Sequence, residues 1–241
     1  MKKIAIFDID GTIFRSSLLI ILVENLIADK IFPASAKKEF QNEHQAWLNR
    51  QADYETYISA VIKTFTKHIK GVHYGDFMEC SKKTVRENKF KLYRYTRDLL
   101  PKLKKKGYFL LAVSQSPKGT LDKFCKNMGF DKVYGRLYEL GPADRFTGKV
   151  EDLHHIANKA NIVRRVVEKH NLTLEGSIGF GDTEDDISFL EKVDCPVAFN
   201  PNNKLYRHAK RNKWNVLVER KDVIYQISKS TDSPEEISLD F

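Results

Sequence analysis

Residues 3–14, Lys-Ile-Ala-Ile-Phe-Asp-Ile-Asp-Gly-Thr-Ile-Phe, constrain this chain more than any other stretch. Ile4 to Phe7 form an apolar run of the length of a buried strand, and the run stops at Asp8. Asp10 follows two residues later and Gly11 provides a turn. Two carboxylates where a strand meets a turn repel each other unless a cation lies between them. In open α/β sheets, ligands gather beyond the carboxyl ends of parallel strands. The first expectation is therefore a metal-assisted site at Asp8 and Asp10. The alternative is a solvated Asp-rich turn, and the remaining sequence has to decide between them.

After Thr12 the pattern changes. Ser16 or Ser17 is placed to cap an apolar helix over 18–31. Pro33 opens a second helix reaching about Arg50, and Asp53 caps a third. Tyr54, Tyr57, Ile58, Val61, Ile62, Phe65 and Ile69 fall on one stripe of that third helix. Gly71 ends it, and a fourth helix spans about 74–88. Residues 16–90 thus read as a small helical bundle without strands.

Beyond residue 90, helices and strands alternate. Helices are expected over 92–106 (with Pro101 a possible kink), 119–127, 155–170 and 187–192. Strands are expected at 108–113 (ending at Ser114), 133–134, 177–180 (ending at Gly181-Asp182), 196–199 and 216–218, with a hairpin over 136–150. This alternation predicts a mostly parallel sheet covered by helices on both faces. The last dozen residues read as an acidic, disordered tail.

The net charge of +9 suits acidic ligands but equally a solvated basic surface. An apolar fraction of 41% supports a sizeable core. Three scattered cysteines, Cys80, Cys125 and Cys195, form no disulfide framework and point to a reducing compartment. No apolar run approaches the ~20 residues of a membrane span, so a cytoplasmic location is the expectation. Trp47, Trp214, Cys125 and the run Leu18–Val23 are expected to serve packing, and the adjacent His154 and His155 to lie at the surface.

Four strand ends or helix starts carry polar groups: Asp8 and Asp10, Ser114, Lys159, and Gly181-Asp182-Thr-Glu-Asp185-Asp186. In this order they resemble the four motifs of the haloacid dehalogenase superfamily. The helical insertion directly after the first motif resembles its first cap class (C1). Phe146-Thr147-Gly148 and Val197-Ala-Phe-Asn-Pro are similar to the phosphoserine-phosphatase-like branch. The resemblance implies a Rossmann-like three-layer α/β sandwich built from 1–15 and 91–241, with residues from about 228 onward flexible, and a helical cap over 16–90. It implies Mg2+-dependent hydrolysis of a small phosphomonoester through an aspartyl-phosphate, with no obligatory nucleic acid.

In that reading Asp8 is the nucleophile and Asp10 the acid and base. Asp8, the Asp10 carbonyl and Asp182 hold Mg2+. Ser114, Lys159 and Thr12 contact phosphate, while Asp186, Gly11 and Gly181 support the site. Lys149 competes with Lys159, Ser116 with Ser114, and Asp185 with Asp186. The family's phosphoserine phosphatases carry a Glu nine residues after the nucleophile, where this chain has Ser17, and a Gly where it has Gln115. These two residues are candidate specificity positions and argue for a substrate other than phosphoserine, with an anionic or neutral leaving group. A phosphotransferase or mutase using the same intermediate, and a non-catalytic binding protein with a basic surface, are the competing expectations.

Overall fold

The computed structural model describes residues 1–151 and 158–228. Among these, strands and helices alternate after an all-helical insertion, in the order expected. The strands are β1 (Lys2–Phe7), β2 (Phe109–Pro117), β3 (Lys132–Leu140), β4 (Phe146–Glu151), β5 (Leu172–Gly181), β6 (Cys195–Phe199), β7 (Asn215–Arg220) and β8 (Val223–Ser228). They form one sheet in the order β4-β3-β2-β1-β5-β6-β7-β8. Pairing is parallel except at the two edges, β3–β4 and β7–β8.

Strand alternation builds three layers. Ala5 and Phe7 of β1 join one buried cluster with Leu110, Ala112, Phe180 and Phe199. Ile4 and Ile6 face the other way, with Leu111, Val113, Ala198 and Val216. The first layer includes α5 (Arg94–Lys105) and α6 (Lys118–Cys125), and the second α7 (Lys159–His170), α8 (Ile187–Leu190) and α9 (Asn203–Arg211). Cys125 and Trp214 are buried in these clusters, so both serve packing.

The insertion holds α1 (Leu18–Ala28), a 3-10 turn over Ala34–Glu39, α2 (Gln41–Leu48), α3 (Tyr54–Ile69) and α4 (Tyr74–Asn88). Ser17 caps α1, accepting from Ile20 N, and Asp53 caps α3, accepting from Thr56 N at 2.9 Å. The expected helix over 33–50 is broken at Phe40, whose backbone (φ −132°) turns its buried ring into the insertion's core beside Tyr57. Packing there overrides helix continuity.

That core also takes Tyr138 and Phe146 from the β3–β4 hairpin. Gly71 N donates to Phe146 O, and Phe146 N to Val72 O. The hairpin therefore extends the sheet and seals the helical insertion together. Leu18 packs into the sheet's core while Leu19 and Leu22 pack into the insertion, so α1 bridges both.

Several boundaries differ from expectation. β2 continues through Ser114 to Pro117, with its register against β3 shifting between Val113 and Pro117. The short strand at 133–134 and the first hairpin strand are one element, β3. Pro101 lies within α5 without ending it. β8 was not expected, and it carries the chain in order to Ser228. His154, His155 and the expected tail beyond residue 228 lie outside the described residues. Among those described, no helix is long and apolar enough to cross a membrane.

Candidate active site

The strand order reverses at β1, which is flanked by β2 and β5. Ligand crevices form at such switch points. Asp8 directly follows β1, Asp182 follows β5, and Ser114 lies near the end of β2. Asp8 N donates to Phe180 O at 2.9 Å, which aligns the two acidic loops.

Two glycines let these loops approach each other. A Cβ on Gly11 would lie 1.9 Å from Asp182 Oδ2, and Gly11 has φ +83°. A Cβ on Gly181 would lie 2.4 Å from Asp186 Cβ. Any larger residue at either position would displace a carboxylate.

At the centre is a buried ion triad. Lys159 Nζ donates to Asp8 Oδ1 at 2.6 Å and to Asp186 Oδ1 at 2.5 Å. Asp186 Oδ2 accepts from the backbone N–H groups of Asp182 and Thr183, at 2.9 and 3.1 Å. Lys159 starts α7, whose cap is the Asn158 side chain. The competing Lys149 is exposed on β4. Asp185 is exposed, whereas Asp186 is fully buried.

Asp10 is held by three donors. Leu18 N reaches Oδ1 at 2.6 Å, and Ser114 Oγ and Ser116 Oγ reach Oδ2 at 2.8 and 2.7 Å. Ser114 and Ser116, the two serines that compete for the phosphate contact, both touch Asp10, so these contacts single out neither. The shifted register at the end of β2 places them there. Thr12, expected at a phosphate, is fully buried, and its carbonyl accepts from Thr96 Oγ.

Ser17 is buried at the cap of α1, with the Tyr54 side chain close by across the cavity lining. Gln115 Oε1 accepts from Arg136 Nε at 2.9 Å and also from Nη2. The Gln115 amide nitrogen lies 3.4 Å from Asp185 Oδ2. Arg136 and Tyr54 carry no motif and were missed in the sequence. The only hint was that Tyr54 opens the striped helix α3.

A cavity of about 1230 Å³ joins these groups. Asp8, Asp10, Ser114, Gln115, Lys159 and Asp182 form its floor, and α3 contributes Tyr54, Ile58 and Ile62 opposite. Burial raises the affinity of Asp8, Asp10 and Asp182 for protons, and for Asp8 and Asp182 repulsion among the neighbouring carboxylates adds to it. Burial works against the Lys159 ammonium, but Asp186 and Asp8 outweigh it and hold the proton more firmly than usual.

Carboxylate oxygens of Asp8, Asp182 and Asp186 lie within 4.8 Å of one another. Asp186 is already occupied by Lys159 and two backbone donors, which leaves Asp8 and Asp182 on the cavity wall. A few hard oxygen ligands beside an open cavity fit a cation that keeps several waters, as Mg2+ does. The mutual repulsion of the acids, with Gly11 making room for Asp182, fits the same group.

Residues 5–191 match the model of the haloacid dehalogenase-like hydrolase family. A histidinol-phosphatase from Neisseria meningitidis is 23% identical over 90% of this chain and 99% of its own length. A phosphoserine phosphatase from Archaeoglobus fulgidus is 26% identical over 47% of this chain, which spans about a third (33%) of that relative. Among solved structures, a phospho-aspartyl intermediate analogue of phosphoserine phosphatase has the same fold. Its TM-score is 0.64 at 19% identity, covering 92% of this chain and 95% of that one. With the family's model extending from β1 through the loop that carries Asp182 and Asp186, the chain belongs to the haloacid dehalogenase-like hydrolase family.

Proposed function

We propose that this protein is a Mg2+-dependent phosphatase that hydrolyses a small phosphomonoester through an aspartyl-phosphate on Asp8. One observation carries the reading: Asp8 and Asp10 sit at the switch point of a parallel sheet, with Asp8 held by the buried Lys159–Asp186 pair. The names of the relatives, histidinol-phosphatase and phosphoserine phosphatase, support it.

Phosphoryl transfer needs positioning and charge neutralisation more than covalent assistance. A carboxylate oxygen of Asp8 attacks phosphorus while the bond to the leaving oxygen breaks. Burial and the neighbouring carboxylates raise the affinity of Asp8 for a proton and the Lys159 ammonium opposes that rise; a bound cation would favour the attacking anion further. Asp10, whose affinity for a proton is raised by burial, delivers that proton to the leaving alkoxide. It then takes a proton from the water that attacks the acyl-phosphate, releasing phosphate and restoring Asp8.

A cation held by Asp8, Asp182 and the Asp10 carbonyl would neutralise charge on the phosphoryl oxygens. Lys159, which also touches Asp8, would neutralise more of that charge. Ser114 and Ser116 both hold Asp10, so Ser114 is able to turn to a phosphate oxygen while Ser116 keeps the carboxyl in place. The insertion closes over the site with α3 and restricts water.

The test is Mg2+-dependent phosphate release from a panel of small phosphomonoesters, with Asp8→Asn in parallel. Release lost in the variant and with a chelator is the expected result. Release that survives Asp8→Asn in pure protein would remove Asp8 as the nucleophile.

A further inference from the structure

We infer that Arg136 reads a second anionic group on the leaving-group side of the substrate, which makes the substrate class a phosphomonoester carrying a carboxylate or a second phosphate. This rests on the phosphatase reading for the first phosphate and goes beyond it for the rest of the molecule.

Arg136 lies on β3, half-buried on the cavity wall. Its guanidinium has two neutral neighbours. Nε and Nη2 donate to the Gln115 side-chain oxygen, and the Tyr138 side chain lies nearby, two residues along the same strand. Among the described residues no carboxylate pairs with Arg136. Of the other cations on the cavity, Lys159 is shared by Asp8 and Asp186, Lys67 is paired with Glu39, and Lys63 is exposed to solvent on α3. Arg136 is therefore a fixed, partly desolvated charge without an anion to match it. Its planar fork suits bidentate contact with a carboxylate or phosphate.

Gln115 fixes where that fork points. It follows Ser114, whose hydroxyl touches Asp10, and its amide nitrogen faces Asp185 on the loop that begins with Asp182. One side chain thus ties Arg136 to both the β2 end and the acidic loop. Arg136 lines the same cavity as Asp8 and Asp10, and its partner Gln115 adjoins Ser114, which suits a leaving group that carries its second anion towards β3.

Four esters on a two-carbon frame test this: ethyl phosphate, phosphoglycolate, ethylene glycol bisphosphate and phosphoethanolamine. kcat/KM is measured for wild type, Arg136→Ala, Arg136→Lys and Gln115→Leu. Affinity for the same four esters is measured by calorimetry in an Asp8→Asn background, with and without Arg136→Ala. Wild type is expected to favour at least one of the two anionic esters over ethyl phosphate by about tenfold or more. The carboxylate and bisphosphate arms tell the two sources of negative charge apart.

That ratio is expected to fall towards one in Arg136→Ala, to survive in part in Arg136→Lys, and to drop in Gln115→Leu. A purely structural role would lower all esters together and leave the ratio intact, which overturns the inference. So does a wild-type ratio near one, or phosphoethanolamine outranking both anionic esters. If no ester is turned over, the phosphatase reading fails, while the calorimetric ratio still decides for or against Arg136.

Discussion

Replacing Asp182 by Asn is expected to make the metal-free protein more stable and the Mg2+-loaded protein less stable. Carboxylate oxygens of Asp8 and Asp186 lie within 4.8 Å of an Asp182 oxygen. Lys159 offsets about one of these two charges, so Asp182 feels roughly one unbalanced neighbour. At an effective dielectric near 20 that repulsion is about 3 kcal/mol. Asp182 opens on the cavity, and solvent reduces the figure to about 1–2 kcal/mol. For a chain of this size that corresponds to a rise of about 2–8 °C in Tm. Mg2+ at a hundred times its Kd would add about 2.7 kcal/mol to wild type and little to the variant. Thermal unfolding followed by circular dichroism, in chelator and in Mg2+, reads both arms. The pH dependence has a definite sign. Folded Asp182 keeps its proton above the ordinary value of 3.8, so its contribution to wild-type stability falls as pH rises through that window. The advantage of the variant in chelator should therefore shrink towards pH 4. An Asn variant that melts below wild type in chelator, or gains as much from Mg2+, would refute the reasoning.

Other substitutions separate the remaining roles. Lys159→Met leaves Asp8 and Asp186 buried without a cation and should cost about 3–5 kcal/mol in urea unfolding, with phosphate release lost. Gly11→Ala, whose Cβ meets Asp182 at 1.9 Å, should abolish the Mg2+-induced rise in Tm even where the protein still folds, as titration of Tm against Mg2+ would show. Asp10→Asn should lower kcat by about 10²–10⁴ and leave the circular dichroism spectrum unchanged. Phosphoserine should be a poor substrate in steady-state assays, because Ser17 is buried against Ile20 N and Tyr54 and offers no carboxylate to an ammonium.

Much of the architecture was legible because buried parallel strands are short apolar runs with polar ends. Ile4–Phe7 and Ile178–Phe180 show this, and the acids that follow them, Asp8 and Asp182, meet in space. What was missed came from contacts between distant elements. Phe40 breaks a helix whose local pattern continues, because its ring is drawn into a core shared with Tyr57. β8 escaped notice because its turn uses Lys221 at φ +56° in place of Gly, and because Val223, Tyr225 and Ile227, on one side of an edge strand, are exposed. Ser116 and Arg136 gain their positions from the register shift between β2 and β3, which no local pattern records. Gln115 stood out in the sequence only as a departure from Gly, and its partner became visible once β2 and β3 were paired.

The central claim is that Asp8 carries the phosphoryl group. The most direct measurement is the intact mass of the protein, acid-quenched during turnover of the best phosphomonoester in Mg2+, with peptide mapping of the adduct. The account requires one added phosphoryl group, located on the peptide containing Asp8 and absent from Asp8→Asn. Turnover with no adduct under rapid quench, or an adduct on another residue, would contradict it.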